Sequence, residues 1–352
     1  MPERPLLEED FEGFRHICLA AARDEKVRFD ASSGGVAREL ARAALEKGLA
    51  DAVYGVKRLP DAPFYEGGYF FDAGEVSQMA NSVYCAFPFA AALQKRPGGR
   101  PLKRLLFIGT NCQLQAAQNF YKGTQTELLQ VAIYCKQQKT LDYVRWLRRE
   151  MGQPETLQAP VRFRGDGWPG KIHSDAKTVS SYFFSLPFGM ETWQVPGCRF
   201  CPNAFGWKSD LVLFDPWSLI ADNPGMDVAV LRTQAAQALW EAARERLVEW
   251  PEIPAELALH PSMALRPLTG GDVKTCIDWW RYRRTKVEAI PFYLGREEAW
   301  WRRAGYAFLE WERRINSWLL LRLRHKKAQY LLMRFWGKSS KVILWIVGRR
   351  KG

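Results

Sequence analysis

Leu105-Leu-Phe-Ile-Gly-Thr-Asn-Cys-Gln113 sets an apolar run directly against a polar turn. Leu105 to Ile108 is an apolar run of strand length, and it leads directly into the polar turn Gly109-Thr-Asn-Cys-Gln113. Leu114 to Tyr121 then reads as the start of a helix. Buried strand, turn and helix in that order are the building unit of a layered α/β protein. The pattern recurs downstream: Leu128 to Tyr134 is a second apolar strand that ends at Cys135, followed by a helix over 140–151 with Thr140 at its N-cap. Leu211-Val-Leu-Phe214 reads as a third strand, shortly after Cys198-Arg-Phe-Cys201.

Upstream, Asp30-Ala-Ser-Ser-Gly-Gly35 is a small flexible loop. The run Val36 to Lys47 is rich in helix formers and places Val36, Leu40 and Ala44 on one face. Gly48 supplies a C-cap and Ala52 to Val56 a short strand. Pro97-Gly-Gly-Arg-Pro101 is a breaker cluster that marks a boundary. From about Arg266 the composition changes: Trp279-Trp280 and Trp300-Trp301 sit among arginines, and Trp311 to Tyr330 has helical character with Trp311, Ile315, Trp318 and Leu319 along one side. Three parts follow: an α/β part over 11–96, a second over 101–265, and a basic, Trp/Arg-rich helical tail over 266–352.

The chain has 352 residues, 47% of them hydrophobic, which supplies a substantial core. Its net charge of +13 is unevenly spread, because residues 296–352 hold fifteen Lys or Arg against four Glu. The opening ten residues are acidic and carry no secretory pattern, and no apolar stretch approaches the ~20 residues needed to span a bilayer. The expected compartment is therefore the cytoplasm, where the seven cysteines stay reduced and point to metal or redox chemistry before disulfides.

Cys198 and Cys201 form a C-x2-C pair, a spacing that lets one tight turn aim two thiolates at one metal. Cys112 and Cys135 each stand where an apolar strand gives way to polar sequence. Four thiolates suit tetrahedral zinc or a [4Fe–4S] cluster, and the spacing leaves both open. Cys18, in what reads as an apolar helical run, Cys85 and Cys276 are expected to be packing residues.

Beyond this point the order of motifs carries information. Ser32-Ser-Gly-Gly35, Gly109-Thr-Asn-Cys-Gln113, Tyr134-Cys135, Phe163-Arg-Gly-Asp-Gly-Trp-Pro-Gly170, Cys198-x-x-Cys201 and Ser209-Asp-Leu-Val-Leu-Phe-Asp-Pro-Trp217 follow one another over roughly residues 25 to 220. In this the chain resembles the beta-subunit family of coenzyme F420 hydrogenases and dehydrogenases, which also takes in 7-hydroxymethyl chlorophyll a reductase. The resemblance implies an oxidoreductase with FAD and with a [4Fe–4S] cluster on Cys112, Cys135, Cys198 and Cys201. It further implies coenzyme F420, or an organic substrate, as redox partner. Two departures stand near the expected cofactor region. Asn111 occupies a position where the family has proline, and Phe214 one where it has glycine.

The fold so expected is α/β (α+β mixed): a layered mixed sheet with flanking helices, iron–sulfur-binding loops and a C-terminal helical appendage. Ser32, Ser33, Gly34 and Gly35 lead into a helix, whose N-terminal N–H groups attract phosphate; an ordinary capped turn explains them as well. Asn111, Arg164, Gly167 and Trp168 are the other expected cofactor contacts, with Gly165, Gly167 and Gly170 letting backbone approach a flat ring. Lys171 and His173 are the candidate catalytic residues; a solvated basic face and a surface histidine are the plain alternatives. No C-x2-C-x2-C-x3-C-P run occurs, so electrons are expected from a separate ferredoxin, a partner subunit or a reduced deazaflavin. A non-catalytic electron-transfer subunit and a zinc-stapled binding protein are the competing functions. The tail, residues 296–352, mixes Trp with Arg in a manner suited to an anionic membrane surface, which would make the protein peripheral at the inner face. Partner docking is its alternative, and no nucleic-acid partner is expected.

Overall fold

The computed structural model of the chain describes residues 15–94, 102–135, 137–155, 160–175, 177–180, 187–188, 192–195, 197–198, 206, 209–216, 224–250, 300–323 and six positions between 327 and 335. The breaker cluster Pro97–Pro101, Cys201, Trp217, Cys276 and the Trp279-Trp280 pair lie outside them. The elements run β1 (His16–Ala22), α1 (Glu25–Asp30), α2 (Val36–Glu46), β2 (Ala52–Arg58), β3 (Tyr65–Phe70), α3 (Ala91–Gln94), β4 (Arg104–Gly109), α4 (Asn111–Tyr121), β5 (Glu127–Ile133) and α5 (Leu141–Glu150). There follow β6 (Val161–Arg162), β7 (Lys171–Ser174), β8 (Lys177–Ser180), β9 (Leu211–Phe214), β10 (Asp227–Leu231), α6 (Gln234–Ala243), β11 (Leu247–Glu249) and α7 (Trp300–Arg322).

The mixed α/β layering expected from the Leu105–Gln113 stretch is the one observed. Eight strands form one sheet in the order β11-β1-β10-β9-β5-β4-β2-β3, and β6, β7 and β8 form a second, smaller sheet. The centre β2-β4-β5-β9 is parallel and both flanks are antiparallel. Leu105 to Ile108 are buried on both faces of the sheet, as an apolar run in a central parallel strand requires. The large sheet takes strands from both sides of Pro97–Pro101.

Two apolar layers cover the sheet. Val36, Leu40 and Ala44 of α2, with Leu239 and Trp240 of α6, pack on Cys18, Val53, Leu106 and Val131. On the other face Leu114 and Ala117 of α4 meet Tyr54, Phe107 and Val212, with Tyr54 and Phe107 stacked at 4.9 Å. A third cluster joins α5, the small sheet and α7 through Tyr143, Trp146, Phe163, Trp193 and Leu320. Arg149 ties α7 down by donating to the Leu321 and Leu320 carbonyls at 2.6 and 2.5 Å.

Three local readings are corrected. Cys18 lies in strand β1, not in a helix; its neighbours Ile17, Leu19 and Ala20 to Ala22 are apolar without helical periodicity because β1 is covered on both faces. Helix α4 starts at Asn111, so Cys112 sits in its first turn and not in a loop. Thr110 and Gln113 form a capping box there, the Thr110 N–H reaching Gln113 Oε1 at 2.8 Å. In α7 the side that looked apolar turns partly outward: Trp311 and Trp318 are exposed, while Glu312, Asn316 and Leu320 face the body.

Candidate functional site

Parallel strands in an open sheet end their hydrogen bonding at the carboxyl edge, and the crevice left there is where ligands of α/β proteins bind. Here the carboxyl ends of β4, β5 and β9 and the loop before α2 enclose a cavity of about 510 Å³, within the range usual for a drug-sized or cofactor-sized molecule. Gly109, Thr110, Tyr134, Cys135, Phe214 and Asp215 line it from the strand ends, and Ser32, Ser33 and Gly35 from the loop.

The cysteines gather at the same edge. Gly109 and Ala132 are paired on adjacent parallel strands, and Cys112 and Cys135 each follow three residues later. Cys198 is brought there by backbone stitching. Lys139, fully buried, donates to the carbonyls of Pro187 at 2.9 Å and Thr192 at 2.8 Å. The N–H groups of Thr140 and Val195 bond to Trp193 O at 2.7 Å and Gln138 O at 2.8 Å. The Gln138 N–H then donates to Cys198 Sγ at 3.2 Å, and Thr110 Oγ1 lies 3.3 Å from Cys112 Sγ. Hydrogen bonds to sulfur are one of the means by which a protein tunes a cluster's potential. None of the three thiols is in a disulfide. Cys112 is exposed and Cys135 and Cys198 are half-buried, so all three thiols are open to a thiolate-held group. Cys201, three residues after Cys198, lies outside the described residues.

Arg164 is the hub of the cavity's polar wall. Its guanidinium is buried and meets Asp215 as a fork, Nη1 to Oδ2 at 3.1 Å and Nη2 to Oδ1 at 3.3 Å. It also donates to Tyr84 Oη at 3.2 Å and to the Ser32 carbonyl. Burial works against its charge, but Asp215 outweighs burial and its pKa is raised. Trp168 Nε1 adds a bond to Asp215 Oδ1 at 3.2 Å. Arg164 and Trp168 thus face Asp215 rather than open space. Gly165, Gly167 and Gly170 have positive φ and fold the loop back on itself, with Lys171 N–H on Gly165 O at 2.8 Å and Gly167 N–H on Phe29 O at 2.9 Å.

The Ser32–Gly35 loop holds a carboxylate where phosphate was expected. Asp227 Oδ2 accepts the Val36 N–H at the start of α2 at 3.2 Å. Ser33 Oγ donates to Met226 O. Gly34 is required by this packing, since a Cβ there would stand 2.8 Å from both Asp227 N and Asp227 Oδ2. Burial and then the negative Asp215 push the Asp227 carboxyl up to about 7. Arg38, in the first turn of α2, also lines the cavity. It donates to Asn81 Oδ1 at 3.0 Å and has no ion pair among the described residues. Burial, with Arg42 and Arg58 nearby, lowers its pKa.

Lys171 and His173 sit on the small sheet, outside the cavity lining. Lys171 is exposed. His173 Nδ1 hydrogen-bonds with Thr178 Oγ1 at 3.1 Å and its Nε2 lies 3.0 Å from Asp166 Oδ2, and burial and Arg162 lower its pKa. Arg38, Asn81, Tyr84, Asp215 and Asp227 line the cavity too and were not among the expected contacts. Three had signals: Asp215 stands within the Ser209–Trp217 motif, Arg38 is the first basic residue after the Gly-Gly turn, and Asp227 is a carboxylate opening the apolar run Asp-Val-Ala-Val-Leu231.

Comparison with known proteins gives concordant results. The family profile described as "Coenzyme F420 hydrogenase/dehydrogenase, beta subunit N-term" matches residues 17–94, and the companion profile for the C terminus of the same beta subunit matches residues 102–255. No curated protein matches the chain significantly. Among solved structures, a chain of the F420-reducing [NiFe] hydrogenase complex from Methanosarcina barkeri superposes with a TM-score of 0.58 at 16% identity, over 79% of this chain and 94% of that one.

Proposed function

The chain belongs to the coenzyme F420 hydrogenase/dehydrogenase beta-subunit family, and on that premise we propose that it is an iron–sulfur flavoprotein oxidoreductase. Cys112, Cys135, Cys198 and Cys201 hold a [4Fe–4S] cluster, and the 510 Å³ cavity takes a flavin such as FAD beside it. When bound, the cluster supplies one-electron steps and the flavin two-electron chemistry, toward an organic substrate or a deazaflavin of the F420 type. The observation that carries the reading is the position of Cys135: it follows β5 at the edge where Cys112 and Cys198 arrive, and it also lines the cavity wall.

Two features of the cavity wall suit such a cofactor. Arg38 offers the cavity a cation with no carboxylate partner among the described residues, suited to the phosphate of a cofactor. Arg164 and Asp215 fix the loops of the two sheets against one another through Ser32 and Trp168. Anaerobic purification followed by an absorption spectrum, iron analysis and extraction of bound flavin tests the assignment. About four irons per chain together with flavin bands support it; a colourless, zinc-loaded protein overturns it.

A docked electron-transfer subunit is the second reading, favoured by α7. Phe308, Trp311 and Trp318 are exposed on that helix, with the Arg322 guanidinium 4.1 Å from the Trp318 ring. No helix of the described residues is long and apolar enough to cross a membrane. We assign this face, with the basic residues of 296–352, to an anionic membrane surface, leaving a partner subunit or ferredoxin to deliver electrons elsewhere. Flotation with anionic liposomes, with and without residues 296–352, decides: equal flotation of both forms discards the idea.

A further inference from the structure

The end of β1 remote from the cavity carries a second group of metal-ligating side chains, independent of the cluster and flavin assignment. Ala20 pairs with Asp227 at the cavity end of the sheet, whereas His16 pairs with Leu231 at the opposite end. His16 and Cys18 are two residues apart and share one face of β1. The antiparallel edge strand β11 brings Glu249 beside them, paired at Ala20. The ligand atoms of His16, Cys18 and Glu249 all lie within 4.8 Å of one another.

From this arrangement we propose that His16, Cys18 and Glu249 bind a zinc ion that clips the edge strand β11 to β1. The donor set is a nitrogen, a sulfur and an oxygen, which borderline-soft zinc accepts together and which calcium or magnesium do not. A thiolate and a carboxylate balance the dication, so a metal here buries no net charge. Tetrahedral zinc with legs of about 2.0–2.3 Å sets its ligand atoms ~3.3–3.8 Å apart. His16 Nε2 and Glu249 Oε1, now 2.6 Å apart, need open by less than about 1 Å to meet that spacing.

The surroundings support a ligand site. Trp240 Nε1, from α6, donates to the other carboxylate oxygen, Glu249 Oε2, at 3.0 Å; such an outer bond orients a metal-binding carboxylate. With His16 Nε2 2.6 Å from Glu249 Oε1 and the Cys18 sulfur within 4.8 Å of both, the three donors already face a common point. Cys18 closes the site from the core side, while His16 and Glu249 keep side-chain exposures of 28% and 36%. That opening gives an entry path and room for water as fourth ligand. Binding zinc would displace the Cys18 thiol proton.

Full-length protein, purified anaerobically, would be equilibrated with one equivalent of Zn²⁺, desalted, and analysed for zinc and iron together. The variants are His16→Gln, Cys18→Ala, Glu249→Gln and Trp240→Phe, with Cys198→Ser as a control for zinc captured at the cluster cysteines. The expected result is one zinc per native chain and per C198S chain, and its loss from H16Q, C18A and E249Q at unchanged cluster iron. W240F should bind zinc about tenfold more weakly. Zinc should raise Tm in the native chain but not in H16Q, and Co²⁺ should give a thiolate charge-transfer band that C18A abolishes. H16Q and E249Q change partly exposed positions, so they carry the test if C18A fails to fold. Absence of zinc from the native chain, or its retention in H16Q and E249Q, overturns the site. Loss of zinc from C198S alone assigns the metal to the cluster cysteines and overturns it too.

Discussion

Replacing Asp227 with Asn should remove the contribution that this carboxyl makes to the pH dependence of stability between about pH 4 and 7. Asp227 is buried beside the cavity, and burial first, then the negative Asp215, push its carboxyl from 3.8 up to about 7. A carboxyl whose folded pKa is raised favours the folded state while it is protonated. Its contribution is complete below the ordinary carboxylate value and is lost as pH rises through 7. A gap of about three units at 1.36 kcal/mol each amounts to roughly 4 kcal/mol, a large share of a typical ~5–15 kcal/mol folding stability. In D227N the amide oxygen remains as an acceptor for the Val36 N–H and no charge is left to desolvate. Urea unfolding of both proteins, stripped of cofactor, at intervals from pH 4.5 to 8.5 makes the comparison. Other titrating groups, His173 among them, are common to both and cancel in the difference. The stability of D227N relative to the native chain should climb from about 1 kcal/mol at pH 4.5 to about 4 kcal/mol at pH 8. Parallel profiles, or a variant that is the less stable of the two at pH 8, would refute the assignment of a buried, neutralised carboxyl.

Asp215→Asn strips Arg164 of its forked counter-charge, and breaking a buried pair from one side costs about 3–5 kcal/mol; chemical denaturation should show this, with much of it recovered in R164M/D215L. Arg38→Met should weaken flavin binding to the cavity by ~10–100-fold, the worth of about 1.5–3 kcal/mol for one charge-assisted hydrogen bond, as read by titration of the apoprotein with unchanged Tm. Cys198→Ser should abolish the cluster's absorption shoulder and iron content; full iron retention would remove Cys198 from the ligand set.

The parts of the fold legible in the sequence were those whose pattern is local. Leu105–Ile108 and Leu211–Phe214 could be read because a short apolar run bounded by polar turns suits a buried strand and is too brief for a helix. Helix α2 was legible because Val36, Leu40 and Ala44 repeat at helical spacing. Strand β1 was misread because a strand covered on both faces has no period of two, and His16 to Ala22 contains three alanines that suit a helix equally. The antiparallel flank β10-β1-β11 depends on pairings such as Cys18 with Ala229, more than 200 residues apart, which no local window carries. The site divides along the same line. The cysteines announced themselves by spacing and order. Arg164 was legible as a cavity residue but not as the partner of Asp215, 51 positions away, and the anion-binding reading of Ser32–Gly35 could not foresee Asp227 arriving from β10.

Those two distant carboxylates decide which ligands the cavity accepts. Arg164 and Asp215 cancel, so neither gives the cavity a net field, and Asp227 is largely uncharged below about pH 7. Arg38 then remains as the cation with no ion pair among the described residues, and the cavity favours an anionic ligand. Its negative group should approach the first turn of α2 from the Arg38 side, because the N–H of Val36 is already taken. Above pH 7 the Asp227 carboxylate shares that helix end and repels the ligand. A phosphate-bearing flavin should therefore bind more tightly at pH 6 than at pH 8, and D227N should bind it equally at both. A native affinity that rises with pH would place the ligand's charge elsewhere in the cavity.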